Sequence, residues 1–128
     1  MKLTLKGIPI NKVFYSGQEP KITNGCFQIT NKEEQPIPLT ILDVHISDGE
    51  KDVLINEFHL YKLPDYLEID QKDLLVEKMD EFEFDLSFPF VSVIGFDREK
   101  VKVWVTIEAE NEILKADSKV SFDLRVPK

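Results

Sequence analysis

Two histidines and one cysteine, His45, His59 and Cys26, are the side chains of this sequence best suited to nucleophilic or metal chemistry. An imidazole can activate a thiol for attack on a carbonyl, and thiolate with imidazoles can ligate zinc. Their spacing matches no zinc motif, so the expected reading is two half-buried strand histidines and a cysteine packed as a small hydrophobe. Glycoside chemistry needs paired carboxylates, one of them held protonated in a cleft. Glu81, Glu83 and Asp85 alternate along one strand instead, which predicts an ionised row facing solvent. Asp43, Asp48 and Asp52 flank a turn and carry oxygen ligands that suit calcium, but Asp48-Gly49-Glu50-Lys51-Asp52 departs from an EF-hand loop and reads as a solvated turn. Neither glycine-rich phosphate-binding pattern occurs. The expectation is a chain with no catalytic residue, no cofactor and no metal, and therefore not an enzyme.

What remains is binding chemistry. Residues 65 to 85 hold nine acids against Lys72 and Lys78, a balance of −7 within a chain whose net charge is −8. Such a segment either keeps a β protein soluble and guards its edges, or docks a basic partner through a salt-sensitive contact. Trp104 shares its strand parity with Lys102, Thr106 and Glu108, opposite the valines, and so faces outward. Trp is a frequent interface anchor. It is equally served by lysine stems laid over the ring, Lys102 beside it and Lys119 across the hairpin. Glu81, Glu83, Asp85 and Trp104 are the candidate partner-binding residues.

The elements that hold these residues are strands. Phe82, Phe84, Leu86, Phe88 and Phe90 are apolar at every second position, as are Val101, Val103, Val105, Ile107 and Ala109, and again Val120, Phe122, Leu124 and Val126. A turn at Asn111 and Glu112 pairs the last two runs so that Val103 opposes Val120 and Val101 opposes Phe122, inward residue against inward residue. Leu3, Leu5, Ile8 and Ile10 predict a first strand broken near Gly7, and Cys26 to Thr30 and Ile37 to Ile46 two more. Apolar parity switches between Ile41 and Leu42, the mark of a β-bulge. Ser47-Asp48-Gly49 turns into a strand over Val53 to Leu60, and Asp97 to Lys100 turn between a strand ending near Phe96 and Val101. Residues 64 to 80 read either as a short helix capped by Asp70, with Leu74, Leu75 and Met79 on one side, or as loop and short strand.

The 128 residues match one domain, 1–128, and 42% hydrophobic composition with nine Phe can fill a core. A lone cysteine and an N-terminus that alternates apolar with polar residues fit the cytoplasm. No run approaches the roughly 18 apolar residues of a membrane span. The negative charge argues against nucleic acid as the partner.

Phe14-Tyr15-Ser16-Gly17-Gln18-Glu19, then Asn24-Gly25-Cys26-Phe27-Gln28-Ile29-Thr30 and Pro38-Leu39-Thr40-Ile41, resemble the opening strands of arrestin-like or immunoglobulin-like sandwiches. Glu81-Phe82-Glu83-Phe84-Asp85-Leu86-Ser87-Phe88-Pro89 resembles the alternating, proline-ended strand of arrestin-like domains. The resemblance implies a scaffold that binds other proteins and carries no catalytic residues. The expected fold is therefore all-β, a two-sheet antiparallel sandwich of about seven or eight strands. The expected function is a protein-interaction module whose acidic surface, 65–85, docks a basic partner, with edge strands as a route to a homo-oligomer. The alternative is a small-ligand or carbohydrate-binding module using exposed aromatics such as Trp104 and Tyr66.

Overall fold

The computed structural model describes residues 3–10, 13–17, 19–69, 73–122 and 125–127. Among these residues there is no helix, and the strands in chain order are β1 (Leu3–Ile8), β2 (Val13–Ser16), β3 (Glu19–Asn31), β4 (Ile37–Ser47), β5 (Asp52–Ile55), β6 (His59–Lys62), β7 (Leu67–Ile69), β8 (Asp73–Val76), β9 (Glu81–Ser92), β10 (Lys102–Ala109), β11 (Glu112–Lys119) and β12 (Arg125–Pro127). The first sheet runs β12-β2-β3-β9-β6-β7, with β1 also on β3, and the second runs β11-β10-β4-β5, with β8 also on β4. Only β12 against β2 is parallel among these ladders. The two-sheet sandwich is as expected, with more strands. β2, β7 and β12 are too short to show an alternation of their own.

The long strands carry the core. Ile22, Phe27 and Ile29 of β3 and Phe84 and Leu86 of β9 face Val44 and Ile46 of β4 and Val103, Val105 and Ile107 of β10, all of them buried. Each such side chain is worth about 1.5–3 kcal/mol of transfer from water. Alternation holds on β9 as far as Phe88 and then fails. Asn24 pairs with Ser87 but Ile22 with Val91, so β9 bulges around Pro89, a residue without an N–H to give, and Thr23 Oγ1 donates to the Phe88 carbonyl at 2.7 Å. Phe90 is thereby turned out, 52% exposed, with its ring edge-on to Phe14 at 5.3 Å. The bulge on β4 lies where the parity switch placed it. Thr106 pairs with Asp43 and Ile107 with Ile41, which leaves Leu42 as the extra, exposed residue.

The final hairpin has a different register from the expected one. Glu110 and Asn111 have φ values of 49° and 67°, the two left-handed residues of a type I′ turn, so Ala109 opposes Glu112 and Val103 opposes Ser118. This is two residues away from the expected ladder. A two-residue slip leaves every side chain on its own face, so alternation could not detect it. Val120 lies past the end of β11 and bridges Ile10 in parallel; Leu124 is outside the described residues.

One further expectation is corrected, and one open alternative is decided. Val53 to Leu60 is not one strand: β5 belongs to the second sheet and β6 to the first, with residues 56–58 crossing between them. Residues 64 to 80 contain no helix among those described, since Leu74 and Val76 are buried while Leu75 is 52% and Met79 68% exposed, the alternation of a strand. Asp70 falls outside the described residues.

Gly7 does not break β1, which is continuous. A Cβ there would coincide with the Asp117 carbonyl of β11. This close approach joins the sheets: buried Ser118 Oγ donates to the Ile8 carbonyl at 2.7 Å and accepts from the Cys26 N–H at 3.3 Å. Past Ile8 the chain crosses over, with Ile10 N–H donating to Lys119 O and Ser121 N–H to Ile10 O, both at 2.8 Å.

Candidate binding surfaces

The outward residues of β9 meet two different environments. Over Phe84 to Ser87 the strand is paired on both sides, with β3 and with β6. Asp85 sits between Cys26 and Tyr61 there and is buried, with Asn24 Nδ2 donating to its Oδ1 at 2.8 Å. It is therefore not part of a solvent-facing row, contrary to expectation. Parity assigns a face, but neighbouring strands decide whether that face is covered. Cys26 shares this environment. Burial first, and then the carboxylates of Asp85 and Glu83, push its thiol up to about 11, which keeps it protonated near neutral pH.

Glu81 and Glu83 lie beyond the end of β6 and are exposed. Gln28 Nε2 donates to Glu81 Oε1 at 2.8 Å, and the Leu63 N–H donates to the Glu83 carbonyl at 2.9 Å, which holds the turn after β6 against β9. The two carboxylates, Gln28, Leu63, Pro64 and Phe82 line a groove of about 320 Å³. Its acids have no ion-pair partner among the described residues. The approach to Glu81 is fixed by Asn31, which the sequence reading passed over. Asn31 is buried, its Nδ2 pointing at the Gln35, Val76 and Glu77 carbonyls at 3.0–3.1 Å, while its Oδ1 accepts from the Glu33 N–H at 2.8 Å. Its own N–H donates to Asp80 O at 2.8 Å. An asparagine ahead of a polar turn was the only signal, and it does not distinguish a buried tie from an ordinary turn residue.

Trp104 lies on the outer face of the second sheet, half-buried as part of a row made by Leu54, His45, Trp104 and Asp117. The His45 ring is parallel to the indole within 7° at 6.3 Å, and Lys102 Nζ is 5.9 Å from the indole centroid and 3.7 Å from Asp117 Oδ1. The Lys102 part of the expectation thus holds. Lys119 opposes Lys102 and not Trp104, a consequence of the register. A groove of about 560 Å³ opens here, with Trp104, His45, Lys102, Lys115 and Glu99 on its walls. Asp48 ties its rim together, accepting N–H bonds from Asp97 at 2.8 Å, Lys51 at 2.7 Å and Glu50 at 2.9 Å. Those backbone donors, Asp97's foremost, hold its carboxyl down at about 2.

The residues considered for metal or nucleophilic chemistry are not brought together. His45 is on the second sheet while His59 and Cys26 are on the first, and His59 Nδ1 lies 2.9 Å from Glu68 Oε2. Asp48 spends its oxygens on N–H groups and Asp43 faces His45 at 3.3 Å. Among the described residues no group of three or more His, Cys, Asp or Glu side chains could hold a metal ion, and no helix is long and apolar enough to cross a membrane.

A solved structure of similar shape is a FixG-related protein from Vibrio parahaemolyticus, with a TM-score of 0.50 and 13% identity over 97% of this chain and 99% of that one. The fold is what they share. A family 123 glycoside hydrolase from Clostridium perfringens aligns at a TM-score of 0.46 and 12% identity, over 90% of this chain but 23% of that one, which is too distant to carry any argument. No protein-family model and no curated protein matches the sequence.

Proposed function

We propose that this chain is a non-enzymatic protein-interaction module of the immunoglobulin-like kind, which docks a basic partner on the outer face of its first sheet. The strand order supports that form of the sandwich: β1 and β2 border β3, followed by β9 and β6, against β11, β10, β4 and β5. The observation that carries the docking role is the groove at Glu81 and Glu83, two exposed carboxylates without ion-pair partners among the described residues, beside Leu63 and the exposed Pro64, with Lys62 Nζ 4.5 Å from the ring centroid of the buried Phe82. A lysine or arginine side chain laid there gains charge pairing at its head and contact along its stem.

The test is isothermal titration of the domain with synthetic Lys/Arg-rich peptides at low and at physiological salt. Binding that weakens as salt screens the contact, and is lost in the double variant Glu81→Lys/Glu83→Lys, is the expected result. Equal binding by wild type and double variant refutes the proposal. Asp85 is left unchanged because reversing a buried carboxylate would unfold the domain.

A small-ligand role has its own support in the Trp104 groove, where indole and imidazole lie parallel beside two lysines. Tyr66 does not contribute to it, being at the turn between β6 and β7 of the other sheet, near Tyr61. Indole fluorescence titrated with a glycan panel tests this reading, which predicts a quench or shift that Trp104→Phe abolishes.

A further inference from the structure

Trp104 is the only tryptophan of the chain, and the groove it borders collects lysines in a protein whose net charge is −8. Strand rows place them on both sides of the indole. On the outer face of β10 the row through Trp104 lies between one that joins Thr106 to Lys115 and one that joins Ser47, Lys102 and Lys119. The flanking rows are set apart by the span from Lys102 to Thr106 on β10, about 13 Å at roughly 3.3 Å per residue. Lys100 adds a third ammonium on the walls. Two carboxylates share the walls, Asp48 and Glu99, and Asp48 is already spent on backbone N–H groups. Lys115 is exposed and has no ion-pair partner among the described residues. Lys102 and Lys100 pair loosely with Asp117 at 3.7 Å and Asp97 at 4.0 Å. Ion pairs this open to solvent are weak, so a ligand anion can compete for both ammonium groups.

We infer, on the small-ligand reading of this groove, that its ligand is an acidic oligosaccharide lying along β10. One sugar ring rests on the indole, and carboxylate or sulfate groups on the sugars to either side meet Lys115 at one end and Lys102 with Lys100 at the other. A pyranose carries C–H groups on one face, which pack on an aromatic ring as other apolar groups do, while its hydroxyls stay in water. The indole is held ready for this. His45, its cross-strand neighbour, lies parallel within 7°, and Lys102 Nζ is 5.9 Å from the indole centroid, so the ring is confined before any ligand arrives. Ammonium groups make their strongest hydrogen bonds to anionic oxygens, which separates an acidic sugar from a neutral one. An open groove does not enclose a lone small anion, whereas a chain that crosses successive rows gains at each of them once the first is engaged.

Trp104 fluorescence of the full chain, titrated with a short oligogalacturonate, with its neutral methyl ester and with a dextran sulfate oligomer, tests the inference. A quench or shift with an acidic probe is expected, about tenfold weaker with the methyl ester and reduced by salt. The ratio of the two acidic probes tells carboxylate from sulfate. Lys115→Glu changes an exposed side chain, leaves the circular dichroism spectrum as it was and lowers the affinity about tenfold, while Lys115→Arg keeps it. Glu99→Gln, which removes the one unspent carboxylate of the walls, raises it about twofold. Equal response to the oligogalacturonate and its methyl ester, or indifference to Lys115→Glu, overturns the acidic assignment and leaves the small-ligand reading standing. An indole signal that neither acidic nor neutral glycans move overturns both.

Discussion

Asn31→Ala and Asn31→Asp make a pair of variants that tests the reasoning behind the acidic groove. The alanine removes a buried amide that serves the carbonyls of Gln35, Val76 and Glu77 and the N–H of Glu33. Two N–H donors and one acceptor are lost, at about 1 kcal/mol each, which makes about 3 kcal/mol before the burial of unpaired carbonyls adds to it. That is a large share of the roughly 5–15 kcal/mol of a typical domain. Urea unfolding followed by the fluorescence of Trp104 should show the midpoint lowered with the slope unchanged. The aspartate is nearly isosteric and still accepts from Glu33, but presents a carboxylate to three carbonyl oxygens. Its pKa in the folded state must rise above the unfolded value of about 3.9. Its penalty is therefore greatest above the raised pKa and fades as pH falls toward the unfolded one, so Asn31→Asp recovers stability on acidification relative to Asn31→Ala. A loss below about 1 kcal/mol for the alanine, or an aspartate variant whose deficit does not change with pH, would refute the assignment of Asn31 as the tie between the β3–β4 turn and the end of β8.

Three more outcomes follow from the packing. Asp48 titrates near 2 in the fold against an ordinary 3.8, so its contribution is complete above about 4 and is lost between about 4 and 2; Asp48→Asn should flatten that part of a stability–pH curve. The Cys26 thiol, raised to about 11, should react slowly with Ellman's reagent at pH 8, and Asp85→Asn should speed it only slightly because burial is the larger cause. Gly7→Ala, by pressing a methyl onto the Asp117 carbonyl, should cost more than about 3 kcal/mol in urea unfolding, whereas Gly17→Ala, with no atom nearby, should cost about 1 kcal/mol through its φ of 65°.

Strand faces were legible in the sequence wherever a run was long enough to alternate. β9 as far as Phe88, β10, and the bulge displacing Leu42 all read correctly from parity. What parity cannot report is a relation between strands. The two-residue slip that gives Trp104 Asp117 as its neighbour instead of Lys119 changes no face, and the burial of Asp85 depends on β6 lying alongside. The split of Val53 to Leu60 between the two sheets was hidden for the same reason, since either half alone is an ordinary short strand. Of the four residues singled out for binding, Glu81 and Glu83 share one groove, Trp104 lies in another on the opposite sheet, and Asp85 is inside.

The two parallel contacts among the described residues, Ile10 with Val120 and β2 with β12, join early segments of the chain to late ones. Tension between those segments would pull along the axis of the paired strands, so that their hydrogen bonds bear the load together. A hairpin such as β10–β11, pulled from its open end, yields one bond at a time. The sandwich is thus mechanically anisotropic: stiff when stretched between its early and late strands, and soft when peeled from a hairpin.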